Sequence, residues 1–426
     1  MSGSAGKVSA FINNLLLKED EENIIKNISQ KNADDVKDIP GIPSENPYTK
    51  EGYRARTDFL EKENKHAFDY IKGEKKFEDY SSLKGNIENF IGMAQVPIGL
   101  AGPLLINGTH ARGDYYVPLA TTEGALVASY QRGIKASRLS GGITSVCTGE
   151  GVQRCPVFCF NNIGEAGQFV IKVLEHIEEI KKIPAQCSSY AKLTDVRPNM
   201  EGNHVILTFD FTTGDAAGQN MVTLCTDQIC RHLAENMPVK PLTWYIESNY
   251  SGDKKATANS FINVRGKKVI AEVALPRKIV QDILKTTPEL ITEYSRIATF
   301  GIMQSGAIGA QGHYANGLAA VFIACGQDAA CVAEASVGIT RMEVLPSGDL
   351  YAAVTLPNLI VGTVGGGTSL PTQKECLQIM DCYGAGNAVK FAEVCAGLVL
   401  AGELSITAAL SAGHFTSAHK KLGRKN

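Results

Sequence analysis

Polar residues able to do chemistry stand in unusually small or apolar surroundings: Glu123 in ATTEGALVAS, Asp328 in IACGQDAAC, Lys254 and Lys255 in NYSGDKKA, and His414 and His419 in SAGHFTSAHKK. A carboxylate buried among such neighbours costs several kcal/mol unless paired or protonated, so Asp328 either joins a network or titrates abnormally. Capping a nearby helix is its plainer role. Glu123 in a first helical turn would match the helix dipole without any function, and a lysine pair in a polar turn is solvated by default. The two histidines, five residues apart, lie roughly 140° apart around a helix, so they are not the pair that grips a metal from one face. Jointly, a cation to polarise a carbonyl, two acids and a terminal histidine suit carbonyl reduction by a nicotinamide cofactor.

Two glycine-rich stretches could cradle that cofactor. They are GDAAGQNM (214–221), with Asp215, Gly218, Gln219 and Asn220, and GTVGGGTSL (362–370), with Gly365, Gly366 and Gly367. Successive N–H groups free of side chains can surround a pyrophosphate. Neither stretch carries the Gly-Lys-Ser/Thr of a Walker loop or spells GxGxxG, and a plain tight turn is the alternative for both. The first is the stronger because it follows a strand-like run and precedes a helical one.

The elements that must position these residues read as α+β. Residues 1–84 are charged and helical in pattern, with a short amphipathic helix from FINNLL into KEDEENIIKNI, loop signals at DIPGIPSENP, and a long run from EGYRARTDFLEKENKHAFDYI. A larger domain opens over 85–154 with loop-and-strand character, then a helix starting near Thr121 that presents Leu126, Tyr130, Ile134 and Leu139 on one stripe. Residues 155–246 alternate strand and helix as a compact unit of the split βαβ kind. The larger domain resumes over 247–410 with a hairpin-like NSFINVRGKKVIAEVAL. The Ala/Gly-dense stretch 288–336 predicts a central buried helix near 298–335, and NAVKFAEVCAGLVLAGELSITAALSAGHF is also helical. Residues 411–426 form a tail.

Composition narrows the partners. The net charge is −2 and the basic residues are scattered, which leaves no electrostatic footprint for nucleic acid or an acidic membrane surface. Eleven cysteines without a CxxC pair read as free thiols filling cores in a reducing compartment, and no metal site is expected. The N-terminus does not read as a signal peptide, and the long apolar runs are interrupted by Gly, Glu, Gln or Asp. A soluble, cytoplasmic protein with no membrane partner is the expectation.

ENFIGMAQVPIGLAGPL, LATTEGALVAS, GDAAGQNM, NYSGDKK, IACGQDAA, GTVGGGT and AGELSITAALSAGH together resemble 3-hydroxy-3-methylglutaryl-CoA (HMG-CoA) reductase, in the family's order and over roughly residues 85 to 420. TTEG and GTVGGGT look more like the class of eukaryotes, archaea and some bacteria than the second, bacterial class. The resemblance implies a soluble member, without the anchor of the animal enzymes, that uses two NAD(P)H to take HMG-CoA through a CoA hemithioacetal and mevaldehyde to mevalonate and CoA. It implies that Lys254 stabilises the oxyanion, that Glu123 donates a proton to the aldehyde oxygen, and that Asp328 sits between them and sets their pKa values. His419 would protonate the departing CoA thiolate from a C-terminal flap at 411–426, while His414 marks a helix end.

Substrate contacts implied in the same way are Arg154 on the HMG carboxylate, Asn249, Lys255 and Asn316 beside it, and Glu88 and Asn89 near CoA. Glu247 stands where relatives have a serine, and Arg296 stands where a second cation would be sought. Relatives that use NADPH place an arginine after a serine in the small domain. Here Ser188 and Ser189 are followed by Lys192, a point charge rather than a fork, so NADPH is the first choice and NADH the alternative. No serine directly follows His419 for regulatory phosphorylation. The implied architecture is a large CoA-binding domain around a long central helix, an inserted ferredoxin-like nucleotide-binding domain and a small helical N-terminal domain. It would be assembled as a homodimer or dimer of dimers with the active site at the subunit boundary. Without the resemblance, a CoA-binding protein with no turnover, or a reductase of another acyl-CoA, competes.

Overall fold

The computed structural model describes residues 20–413, so the expectations for His414, His419 and the rest of the flap from 414 on, and for the FINNLL start of the first amphipathic helix, fall outside the described residues. Helix α1 (Glu21–Ile28) is capped by Asp20, whose carboxylate accepts the Asn23 N–H at 2.9 Å. Helix α2 (Lys50–Asn64) is capped by Thr49, which accepts the Gly52 N–H at 3.1 Å. The helix stops at Lys65, which turns left-handed at φ 57, and does not run on to Ile71.

Antiparallel strands β1 (Ile98–Gly108) and β2 (Arg112–Ala120) lead into α3 (Leu126–Leu139) and β3 (Ile143–Arg154). Helix α3 begins later than Thr121. Ala125 takes φ 70, and the Thr121 hydroxyl accepts the Glu123 N–H at 3.0 Å, so 121–125 is a turn and Glu123 stands ahead of the helix. Leu126, Tyr130 and Ile134 are buried as their spacing predicts, whereas Leu139, at the end of the stripe, is exposed.

Next come β4 (Val157–Cys159), α4 (Ile163–Glu175), β5 (Lys192–Glu201), β6 (His204–Thr212), α5 (Gln219–Asn236) and β7 (Thr243–Tyr245). Their strands run antiparallel in the order β7-β4-β6-β5. Phe158, Phe160, Phe169, Phe209 and Phe211 fill a core that is separate from the main one.

The chain returns with β8 (Gly266–Leu275), α6 (Pro288–Ser305), α7 (Tyr314–Ala324), β9 (Ile339–Val344), β10 (Leu350–Leu359), α8 (Pro371–Ile379) and α9 (Ala388–Ser411). The expected hairpin does not form. Residues 258–261 are a single helical turn, and β8 lies between β3 and β10, paired antiparallel with both. Strand β3 binds the two halves of the sheet, since Thr144–Gly151 pair with β8 and Val152–Arg154 pair with β6.

The central helix is also elsewhere than expected. Gly306 caps α6 in the left-handed region at φ 74 and Gly309 follows at φ 92, which breaks 298–335 into α6, a loop and α7. The buried helix is α9, with 89% of its most apolar window inside the protein; among the described residues it alone is long and apolar enough to cross a membrane. Helix α3 crosses α9 closely enough that a Cβ on Gly133 would meet the Ala401 carbonyl oxygen at 1.8 Å, so only glycine fits there.

Candidate functional site

Lys254 and Asp328, 74 residues apart, meet as an ion pair with Nζ 2.8 Å from Oδ2. Both side chains remain about half exposed, so the pair opens to solvent or to a ligand. The hydrogen bond to Asp328 raises the Lys254 pKa against the opposing effect of burial. Burial acts to raise the Asp328 carboxyl, but the bonds from Lys254 and from the Ala330 N–H prevail and hold it below the usual carboxylate range. Asp328 therefore has both roles open to it from sequence: it caps the turn at Ala329–Cys331 and it binds the lysine.

The surroundings of this pair contain a buried network that sequence reasoning missed. Arg265 is fully buried, with Nε 2.9 Å from Glu334 Oε2 and Nη2 2.6 Å from Asp253 Oδ1. It donates further to the Gln153 carbonyl at 3.0 Å and to Gln219 Oε1 at 3.1 Å. Glu334, also fully buried, accepts the Lys254 main-chain N–H at 3.0 Å. Burial pushes the Glu334 carboxyl up while the Arg265 guanidinium pulls against it.

Arg154 completes the network. It bonds Asp253 Oδ2 at 2.8 Å, the Thr223 hydroxyl at 2.9 Å and the Gln219 carbonyl at 3.4 Å, so its fork is largely engaged by the protein in this state. Glu247, where a serine was expected, accepts the Asn249 N–H at 2.8 Å and the Ser251 hydroxyl at 3.2 Å and so shapes the 247–255 turn. Asn249 and Lys254 both sit left-handed in that turn, at φ 65 and φ 57. Lys255 donates to the Asp253 carbonyl at 2.9 Å.

The two glycine-rich stretches meet. The Thr363 N–H donates to the Asp215 carbonyl at 2.9 Å, and a Cβ on Gly362 would come within 2.6 Å of the Ala217 nitrogen. Gln327, the neighbour of Asp328, locks onto Gly362 in both directions, accepting its N–H at 2.8 Å and donating to its carbonyl at 3.0 Å. The cradle thus abuts the Lys254–Asp328 pair. Gly218 turns at φ 76 into the first turn of α5, with Gln219 and Asn220 beginning the helix.

Two observations fit a bound dinucleotide there: the space about Gly365 and Gly366 is open, and the buried Gln219 Nε2 lacks a protein partner. Asp215 is not free for that task. Its carboxylate accepts the Gly386 and Ala388 N–H groups at 2.7 and 3.0 Å and so caps α9, because those backbone donors would otherwise be orphaned. Gly367 packs on Gly326 and is likewise structural. The Ser188 hydroxyl accepts the Tyr190 and Ala191 N–H groups at 3.1 Å each; Ser189 and Lys192 are exposed, and Lys192 pairs across the sheet with Thr212, at the end of the strand that leads into the cradle.

Glu123 is not brought to Lys254. It is exposed, and the Asn316 amide donates to both its carboxylate oxygens at 3.2 and 3.3 Å. Asn316 lies in the first turn of α7 and Asp328 beyond its last, so the helical rise from Asn316 to Ala324 alone spans about 12 Å. Glu123 and Asn316 line a cavity with Ser129, and with Arg132 and His313, which no motif flagged. Glu88 and Asn89 are exposed in the irregular segment ahead of β1, and Arg296 is exposed on α6. Of the eleven free cysteines Cys187 is exposed, against the expected filler role, and most are buried. No group of three or more His, Cys, Asp or Glu is placed to hold a metal among the described residues.

A glycine cradle beside an ion-paired lysine is an arrangement suited to an α+β oxidoreductase. The hydroxymethylglutaryl-coenzyme A reductase family model matches residues 52–424. The chain is 47% identical over 349 residues to the 3-hydroxy-3-methylglutaryl-coenzyme A reductase of Pyrococcus abyssi, spanning 80% of this chain and 85% of that one. It is 42% identical over 378 residues to the reductase of Methanocaldococcus jannaschii, spanning 87% and 92%. The fold resembles the class II 3-hydroxy-3-methylglutaryl-CoA reductase of Streptococcus pneumoniae solved with NADPH, at TM-score 0.68 and 19% identity over 86% of this chain and 99% of that one. The chain belongs to the hydroxymethylglutaryl-coenzyme A reductase family.

Proposed function

We propose that the protein reduces HMG-CoA to mevalonate and free CoA with two equivalents of NAD(P)H, the step that commits carbon to isoprenoids. The observation that carries this reading is the Lys254–Asp328 pair at 2.8 Å, set against a glycine cradle able to hold a dinucleotide. When bound, the nicotinamide supplies two hydride equivalents in succession. The chain's own residues polarise, position and protonate.

Lys254 presents its ammonium to the thioester oxygen and then to the aldehyde oxygen. A fixed cation aimed at developing charge is the most effective single device for such a step. Glu123 protonates the aldehyde oxygen, and His419 protonates the CoA thiolate from the flap; a histidine titrating near neutrality suits a thiolate leaving group. Arg154, Asn249, Lys255 and Asn316 hold the HMG carboxylate and hydroxyl, with Glu88 and Asn89 near CoA. Gly218, Gln219, Asn220, Gly365 and Gly366 hold the dinucleotide, and Lys192 meets the 2′-phosphate with help from Ser188 and Ser189. NADPH is the first cofactor and NADH the alternative.

The separation of Glu123 from Lys254 within one chain supports a dimer in which Glu123 and Asn316 of one protomer face the lysine of another. Helix α6 supports it as well, because Leu290, Ile297, Phe300 and Met303 are all exposed along it. The strand order β7-β4-β6-β5 with its own core supports an inserted ferredoxin-like domain at 155–246 within a large domain built on α9. The test is direct: purified protein receives HMG-CoA with NADPH, then with NADH, while the reduced-nicotinamide absorbance is followed. Oxidation that needs HMG-CoA and is lost in Lys254→Ala is expected; saturable CoA binding with no oxidation by either cofactor would leave a binding protein.

A further inference from the structure

We propose that Glu334 is a positioning residue that fixes Lys254 for catalysis by gripping its main chain. This inference rests on Lys254 being the oxyanion cation. Three donors converge on the buried Glu334 carboxylate: Arg265 Nε on Oε2 at 2.9 Å, Arg265 Nη2 at 3.3 Å and the Lys254 N–H on Oε1 at 3.0 Å. Only an all-acceptor group satisfies them together.

The grip has work to do because Lys254 is left-handed at φ 57, a conformation that costs a non-glycine residue roughly 1–2 kcal/mol. Left to itself the backbone would relax and swing Nζ away. The same short segment holds the lysine at two points. Asp328 binds Nζ at 2.8 Å and caps the turn at 329–331, and that turn runs straight into Val332–Ala335, which carries Glu334. Side chain and main chain of Lys254 are therefore fixed to one rigid piece of the molecule. Arg265 completes the clamp by bonding Asp253, the residue before the lysine, at 2.6 Å. Glu334 itself is buried away from solvent, so its effect must pass through Lys254.

Glu334→Gln keeps the shape but turns one acceptor into an amide donor, which must oppose either Arg265 or the Lys254 N–H. A misplacement on the 1 Å scale costs on the order of a hundredfold, so kcat on HMG-CoA should fall about tenfold to a hundredfold while the fluorescence-measured Kd for NADPH stays unchanged. The decisive readout is the double-mutant cycle with Lys254→Ala, assayed at high enzyme concentration. If Glu334 acts through Lys254, adding Glu334→Gln to Lys254→Ala costs nothing further. Losses that multiply, or a wild-type kcat in folded Glu334→Gln, overturn the inference. If Lys254→Ala alone keeps full activity, the underlying reading of Lys254 falls instead. Should Glu334→Gln melt below the assay temperature, Glu334→Asp carries the test. It keeps the charge for Arg265 but withdraws from the Lys254 N–H, so kcat should drop with little change in melting, and an unchanged kcat overturns the proposal equally.

Discussion

Asp328→Asn separates the electrostatic from the structural duties of one carboxylate, and the structure fixes what each should cost. The structural cost is small. Asparagine caps a helical turn as well as aspartate does, so the bond to the Ala330 N–H survives. The ion pair to Lys254 is half exposed, and pairs of that kind contribute about 0–1 kcal/mol to stability. The Asp328 carboxyl is held below its unfolded value, so its stabilising contribution is present above the ordinary aspartate pKa of about 3.9 and is lost as pH falls through the depressed value. Near neutrality that contribution is constant with pH, and a melting curve for Asp328→Asn should nearly overlay the wild type.

The catalytic cost is large. Lys254 loses the partner that raises its pKa, but the ordinary lysine value of about 10.4 already keeps it charged near neutrality. On the proposed mechanism Asp328 then acts by aiming Nζ rather than by keeping it protonated. Losing one aligned oxyanion donor typically costs about 2.7–4 kcal/mol, or on the order of a hundredfold to a thousandfold in kcat. The assay is initial-rate NADPH oxidation with saturating HMG-CoA across the neutral pH range. The predicted loss is the same at every pH. Recovery of the rate at lower pH would mean that Asp328 serves to keep the lysine charged, and a kcat within about threefold of wild type would mean the pair does not aim the cation at all; either refutes the reasoning.

Gly362→Ala should weaken the cradle, since its Cβ would fall 2.6 Å from the Ala217 nitrogen; titration should show a raised Kd for NADPH with CoA binding unchanged, on a background of about 1–3 kcal/mol lost stability measured by denaturant. Lys192→Ala should lower kcat/KM for NADPH by about tenfold and leave NADH use unchanged, whereas Lys192→Arg should favour NADPH further, read as the ratio of the two cofactors' kcat/KM. His419→Gln should spare the reduction of free mevaldehyde and cripple that of HMG-CoA by about a hundredfold, because only the thioester step expels a thiolate; equal loss on both substrates would assign the histidine another role.

What the sequence made legible follows from how local each signal is. Strands β4 and β6 and helices α4 and α5 carry their own hydrophobic pattern and could be read off the chain, but β5 could not. It is an edge strand with Pro198 inside it and mostly exposed side chains, so its pairing with β6 leaves little trace in residue types. The central helix was misplaced because both 298–335 and 388–411 are rich in small residues. What decides between them is three left-handed glycines, Gly306, Gly309 and Gly326, in the first and none in the interior of the second. In the site, each half was visible as a motif, and Asp328 was rightly read as needing a partner.

Arg265 and Glu334 were invisible for a more general reason. An arginine in INVRGKK and a glutamate in CVAEAS have ordinary neighbours, and nothing in composition distinguishes a buried charge from a solvated one until its counter-charge, 69 residues away in the chain, is placed beside it. Burying either alone would leave an uncompensated charge that costs several kcal/mol, whereas together they are satisfied by each other and by Gln153, Gln219 and Lys254. Such a network exists only as a whole. The motifs carry the atoms proposed to meet the substrate, and the long-range network, which leaves no local mark, holds the backbone from which one of them, the Lys254 ammonium, projects.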